Sequence, residues 1–228
     1  MLYSILRGDL SIGMVVMYIL AVTTTVMLIL PFHELAHGFI AYKLGDDTAK
    51  REGRLTLNPL YHIDYIGALC LLLVGFGWAK PVPVNMRRLN NPKRDMALVA
   101  LAGPVANLLA AFAGAILMTV FIVIGLKTNM NDTVYDLIIG FFSYYIQVNV
   151  GLAVFNLIPL PPLDGSKILG AFLPTELYVK QLEYERYLSF ALIALIMLDV
   201  IDKIIGVPIA LIDNWIFLMV GKAASLFF

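Results

Sequence analysis

An all-helical polytopic membrane protein, with about four to six transmembrane helices, is the fold class that this sequence predicts, and three observations lead there. Of the 228 residues 61% are hydrophobic and only 14% are charged, against about a quarter charged in ordinary soluble domains. The mean hydropathy is +0.87. Apolar runs long enough to cross a bilayer, roughly 20 residues each, recur along the chain. The formal net charge is zero, so there is no basic footprint for nucleic acid, and none is expected as a partner. The single cysteine, Cys70, cannot form an internal disulfide and reads as a small apolar packing residue.

The first apolar run starts at Ile12 behind Arg7, an arrangement also found in secretory signals. It is too long for a signal core, and cleavage near its end would sever a polar motif at residues 33–37, so it is read as a retained span. Four spans are expected at about 12–42, 97–126, 136–158 and 187–205, and a fifth apolar stretch at 207–228 that crosses or lies in the interface. Between the first two, Ile66 to Trp78 is apolar but short and rich in glycine (Gly67, Gly75, Gly77), with Pro81 and Pro83 following. It reads as a re-entrant or β-hairpin element lining a cavity, because non-helical backbone at membrane depth must be covered by protein or water. Tyr61, Tyr65 and Trp78 suit an interfacial aromatic belt.

Orientation follows from the basic residues. The connection from Lys43 to Arg94 holds 9 of the 16 Lys and Arg, and Lys167, Lys180 and Arg186 follow the third span. With Lys222, 13 lie on one side against Arg7, Lys127 and Lys203 on the other. Both long connections are therefore expected in the cytoplasm and the amino terminus outside.

His33-Glu34-Leu35-Ala36-His37 interrupts the first span. Ionisable groups are costly there and mark functional sites. On a helix His33 and His37 share a face four residues apart, a spacing at which both can hold one zinc ion while Glu34 reaches the water that such a metal activates. If the span ends near Lys43, the two imidazoles lie about 9 and 15 Å from that end, in the cytoplasmic half. A catalytic zinc needs a third protein ligand and an open position. The third span ends in Asn156-Leu157-Ile158-Pro159-Leu160-Pro161-Pro162-Leu163-Asp164-Gly165. Its prolines stop the helix at the same side, and Asp164, at a turn, is the expected third ligand, a role compatible with capping the segment that begins near Ser166.

Other polar positions carry less. Asn107 matches the estimated metal depth but fits close packing around Pro104 better, and Asn149 reads as interhelical glue. His62 and Asp64 could ligate a metal, although polar residues near an interface are usually solvated.

These motifs resemble those of the site-2 protease family of intramembrane zinc metalloproteases. The similarity includes Ala102-Gly103-Pro104-Val105-Ala106-Asn107 and Gly77 to Asn85, and covers about 30–170. The resemblance implies one zinc per chain on His33, His37 and Asp164, water activation by Glu34, and Asn156 near the catalytic centre. Asn156 and, more weakly, Asn107 are candidates for contacting substrate or the oxyanion. Ser166 stands where many members have a second glycine, a change expected to touch the turn rather than the metal. The expected partners are a transmembrane protein or peptide substrate and the lipid bilayer, with an oligomer left open, in a prokaryotic cell membrane. The chain reads as one integral membrane domain over 1–228, with a catalytic core at 12–173 and carboxy-terminal helices at 187–228, in a minimal form without a PDZ or CBS domain and without repeats. Two rival functions use similar residues: a zinc-dependent hydrolase of a lipid or prenylated tail, and a metal transporter. The transporter predicts inverted repeats, which are not evident.

Overall fold

The computed structural model describes residues 11–74 and 79–227, apart from the side chains of 68, 71–74 and 202. Its first helix, α1, runs over Ile12–Lys43. Ser11 starts it by accepting the Met14 N–H at 3.3 Å, relieving one of the unpaired donors at a helix start. Midway, Thr25–Ile29 widens into a π turn just before Pro31. The proline has no N–H and its ring crowds the carbonyl one turn back, so the wider turn is the local answer to it. Two residues later comes His33.

A connection of short pieces follows: α2 (Thr48–Arg51), a 3-10 turn at Pro59–Tyr61, α3 (Tyr65–Val74) and a second 3-10 turn at Met86–Arg88. Within the Ile66–Trp78 segment residues 66–74 are helical, and among the described residues an isolated antiparallel bridge pairs Ile63 with Ala79 on either side of it. Gly75, Gly77 and Trp78 lie outside the described residues.

Helix α4 spans Pro92–Thr128, 37 residues, or about 55 Å against a hydrocarbon core of about 30 Å. It opens with Pro92, which suits a first-turn position where no N–H is needed. It ends at Asn129 with φ 48, a left-handed cap. Helix α5 is Asp132–Asn156, capped by the Asn131 side chain. Then come α6 (Asp164–Phe172), α7 (Thr175–Glu183), α8 (Glu185–Met197) and α9 (Val200–Ser225).

Among the described residues four helices are long and apolar enough to cross a membrane: α1, α4, α5 and the Lys203–Ser225 part of α9. The expected span at 187–205 is not one helix. Helix α8 has 13 residues, about 20 Å and too short to cross. Asp199, at φ 54, then turns the chain into α9, so the stretch expected as a fifth supplies the fourth long helix.

Helix α4 packs along α5, α1, α6 and α9, and α5 also packs on α1 and α9. An apolar cluster of Ala111, Ala115, Met118, Phe142, Ile146, Val150, Ile216 and Val220 joins α4, α5 and α9. The small residues let the backbones approach, as packing without a hydrophobic driving force between helices requires. Helix α1 and the start of α6 meet nearer the amino-terminal end of α4, and there the polar motifs converge.

Candidate metal centre

His33 and His37, one turn apart on α1, present their Nε2 atoms 3.0 Å from each other. Asp164, the first residue of α6, brings its Oδ2 to 3.5 Å from His33 Nε2 and 3.2 Å from His37 Nε2. All three side chains are buried, and their ligand atoms lie within 4.8 Å of one another. Two close approaches make the convergence possible. A Cβ at Gly103 of α4 would overlap both imidazoles, and one at Gly165 would overlap the carbonyls of Leu157 and Ile158 where α6 doubles back on the end of α5.

The far side of each ring decides what the near side can do. His37 Nδ1 lies 2.7 Å from the Val99 carbonyl, which can only accept, so the proton is on Nδ1 and Nε2 offers a lone pair. His33 Nδ1 lies 2.6 Å from Asn107 Oδ1, which sets the same tautomer. Asp164 is buried too, with the Lys167 ammonium 3.4 Å from its Oδ1, a contact that favours the carboxylate form. Two lone pairs and an anionic oxygen thus converge in a buried site. Such a set of acceptors repels itself unless a cation lies among them, and two nitrogens with one carboxylate fit zinc.

Glu34 is buried beside this group, and its Oε2 accepts the Val82 N–H at 2.8 Å. A cavity of about 620 Å³ opens here, with His33, Glu34, His37, Asn156, Asp164 and Lys167 on its wall and mostly apolar side chains around them. Asn156 lines the cavity while its amide donates to the Leu152 carbonyl one turn back, at 3.0 Å. Asn107 instead lies behind the His33 ring, fully buried. Asn149 donates to Thr25 Oγ1 at 3.4 Å, linking α5 to α1.

His62 is fully buried rather than solvated, with Nε2 2.7 Å from the Thr56 carbonyl, and Asp64 caps α3 by accepting the Ile66 and Gly67 amides. Among the described residues neither joins the metal group. Sequence reasoning missed Lys167 beside Asp164, although a three-residue spacing on a helix pointed to it. It also missed the Val99 carbonyl and the Val82 amide, which leave no mark in side-chain chemistry.

Comparison with known proteins gives one family and several relatives. A family model described as peptidase family M50 matches residues 21–198. The chain is 45% identical over 164 residues to YwhC of Bacillus subtilis (strain 168), named as a candidate zinc metalloprotease; the match covers 72% of this chain and 74% of that one. It is 33% identical over 138 residues to MJ0611 of Methanocaldococcus jannaschii, covering 60% and 63%, and 30% identical over 149 residues to Rip2 of Mycolicibacterium smegmatis, covering 63% and 54%. Both are named in the same way. The chain thus spans under two thirds of the length of the last two. No solved structure matches.

Proposed function

The chain belongs to peptidase family M50, a family of zinc metalloproteases, and on that premise we propose that it hydrolyses peptide bonds in or near transmembrane segments of membrane-protein substrates. The observation that carries this reading is the buried His33, His37 and Asp164 group with Glu34 beside it, at the wall of a cavity among helices long enough to span a bilayer.

His33, His37 and Asp164 would hold one zinc ion per chain, which would supply Lewis-acid polarisation of the scissile carbonyl and acidify water at the site. Glu34 takes the proton of the attacking water and delivers it to the leaving amine. Asn156, on the cavity wall, is placed to donate to substrate backbone or to the developing oxyanion. Asn107 holds the His33 ring and its tautomer, which favours a ligand-orienting role over substrate contact.

The basic residues favour a site in the cytoplasmic half, and relatives from bacteria and an archaeon favour a prokaryotic cell membrane. A helical substrate must unwind to reach it, because its carbonyls are already bonded. The extended segment of Ala79 to Asn85 runs past Glu34 and offers backbone to an unwound peptide, with Val84 the next amide on the edge used by Val82. Membership of a peptidase family counts against the tail hydrolase and the transporter.

The test uses purified protein and a single-span substrate. Glu34→Gln keeps zinc and loses cleavage by at least about 100-fold, since an amide cannot accept the proton. An Asn-Gly pair moved along the substrate span speeds cleavage where it weakens the helix near the cut. Undiminished turnover in Glu34→Gln, or cuts on the extracytoplasmic side mapped by mass spectrometry, would overturn the reading.

A further inference from the structure

The residues from Ala79 to Asn85 form a strap whose sequence, Lys80-Pro81-Val82-Pro83-Val84-Asn85, alternates proline with residues that carry an amide hydrogen. Between Lys80 and Val84 the only N–H belongs to Val82, and it is the one donated to Glu34 Oε2. A slip of one residue either way sets a proline against Glu34 and strands a buried carboxylate oxygen without its donor. The function of Glu34 therefore depends on the register of the strap.

Both ends of the strap are fastened. At the carboxy end Asn85 N–H donates to Asp46 Oδ2 at 2.6 Å, and the fully buried Asp46 is itself fixed by Thr48 through its other oxygen. At the amino end Ala79 bridges Ile63, Lys80 N–H donates to the His62 carbonyl at 2.8 Å, and Arg54 Nη2 donates to the carbonyls of Lys80 at 2.9 Å and Pro81 at 3.2 Å. Arg54 is only 8% exposed. Among the described residues it has no carboxylate within ion-pair distance, and its Nε has no partner. A guanidinium buried without a counter-charge is costly, and its visible return is the grip on two consecutive carbonyls of the strap.

We propose that Arg54 is a positioning residue for the general base: it pins Lys80 and Pro81 so that the Val82 N–H stays on Glu34 Oε2, leaving the other oxygen for the proton. The two N–H bonds of Arg54 Nη2, fixed in the guanidinium plane, reach the two neighbouring carbonyls, and the freely rotating ammonium of a lysine reaches the same groups with less directional hold. The proposal rests on Glu34 being the base.

The experiment is a double-mutant cycle on the whole purified protein, read as zinc content and as single-turnover cleavage of the single-span substrate. Arg54→Ala keeps its zinc and cleaves about tenfold more slowly, since small misplacements of a catalytic group cost one to two orders of magnitude. Arg54→Lys recovers to within about threefold of the parent, because a donor to the carbonyls returns. Val82→Pro removes the N–H at a position already flanked by two prolines, keeps zinc and slows cleavage by a similar factor. The double variant falls no more than about twofold below Val82→Pro alone, since both changes act through one hydrogen bond. A parent-like rate in Arg54→Ala, no recovery in Arg54→Lys, loss of zinc in either single variant, or multiplying effects in the double variant overturns the proposal. Glu34→Gln is measured alongside. If it cleaves, the base assignment fails; if it is inert while Arg54→Ala is fully active, only the role of Arg54 fails.

Discussion

Around Ile146, helices α4, α5 and α9 meet through apolar side chains, and Thr119 and Ser143 in that zone bond within their own helix, to Ala115 and Ile139, each one turn back. Around His33, on some of the same helices, polar groups bond from one element to another. His33 to Asn107 and His37 to Val99 tie α1 to α4, Glu34 to Val82 ties α1 to the strap, and Asn149 to Thr25 ties α5 to α1. Apolar contacts are non-directional, so the first region tolerates small shifts between helices. Hydrogen bonds fix distance and angle, and the second region locates a ring or a carboxylate to a fraction of an ångström.

The largest effects belong to the second region. Alanine at His33, His37 or Asp164 leaves two protein ligands and brings zinc content close to background in metal analysis. Full retention in Asp164→Ala rejects that residue as a ligand. Asn107→Ala removes only the group behind His33 and is expected to weaken zinc affinity about 10- to 100-fold, read by competition with a chelator.

The same small substitution in each region sharpens the contrast. Gly103→Ala drives a methyl into both imidazoles and displaces zinc, whereas Gly114→Ala meets the Tyr145 ring at 2.7 Å and leaves zinc content unchanged. Gly114→Ala lowers stability by about 1–3 kcal/mol, the usual cost of overpacking, seen as a lower melting temperature. Equal zinc content in the two variants would erase the distinction between the regions. The smallest effect is expected at Asn149→Ala, about 0.6 kcal/mol in thermal unfolding with zinc retained, because an interhelical bond in a membrane core contributes little on its own.

Much of this was legible in the chain. Bilayer-length apolar runs announced α1, α4 and α5, since crossing a membrane demands length and composition that the sequence displays directly. The two histidines four residues apart needed only the period of a helix to share a face. The run from Tyr187 to Ile205 misled because hydropathy does not register the turn at Asp199, where the backbone adopts φ 54. His62 was read as solvated because nothing local reveals that the connection folds over it.

The sequence by itself determined that the protein spans membranes through helices, that it carries a zinc-hydrolase pattern at 33–37, and which carboxylate could complete it. Composition and periodicity are local properties, and these conclusions need nothing more. Only the tertiary structure decided that Asp164 comes within 3.5 Å of both imidazoles, that Asn107 and Val99 set their tautomers, and that Arg54 grips a strap whose Val82 amide reaches Glu34. Those contacts join residues that lie far apart along the chain. Several run through backbone carbonyls and amides, which every residue type shares and no sequence pattern can mark.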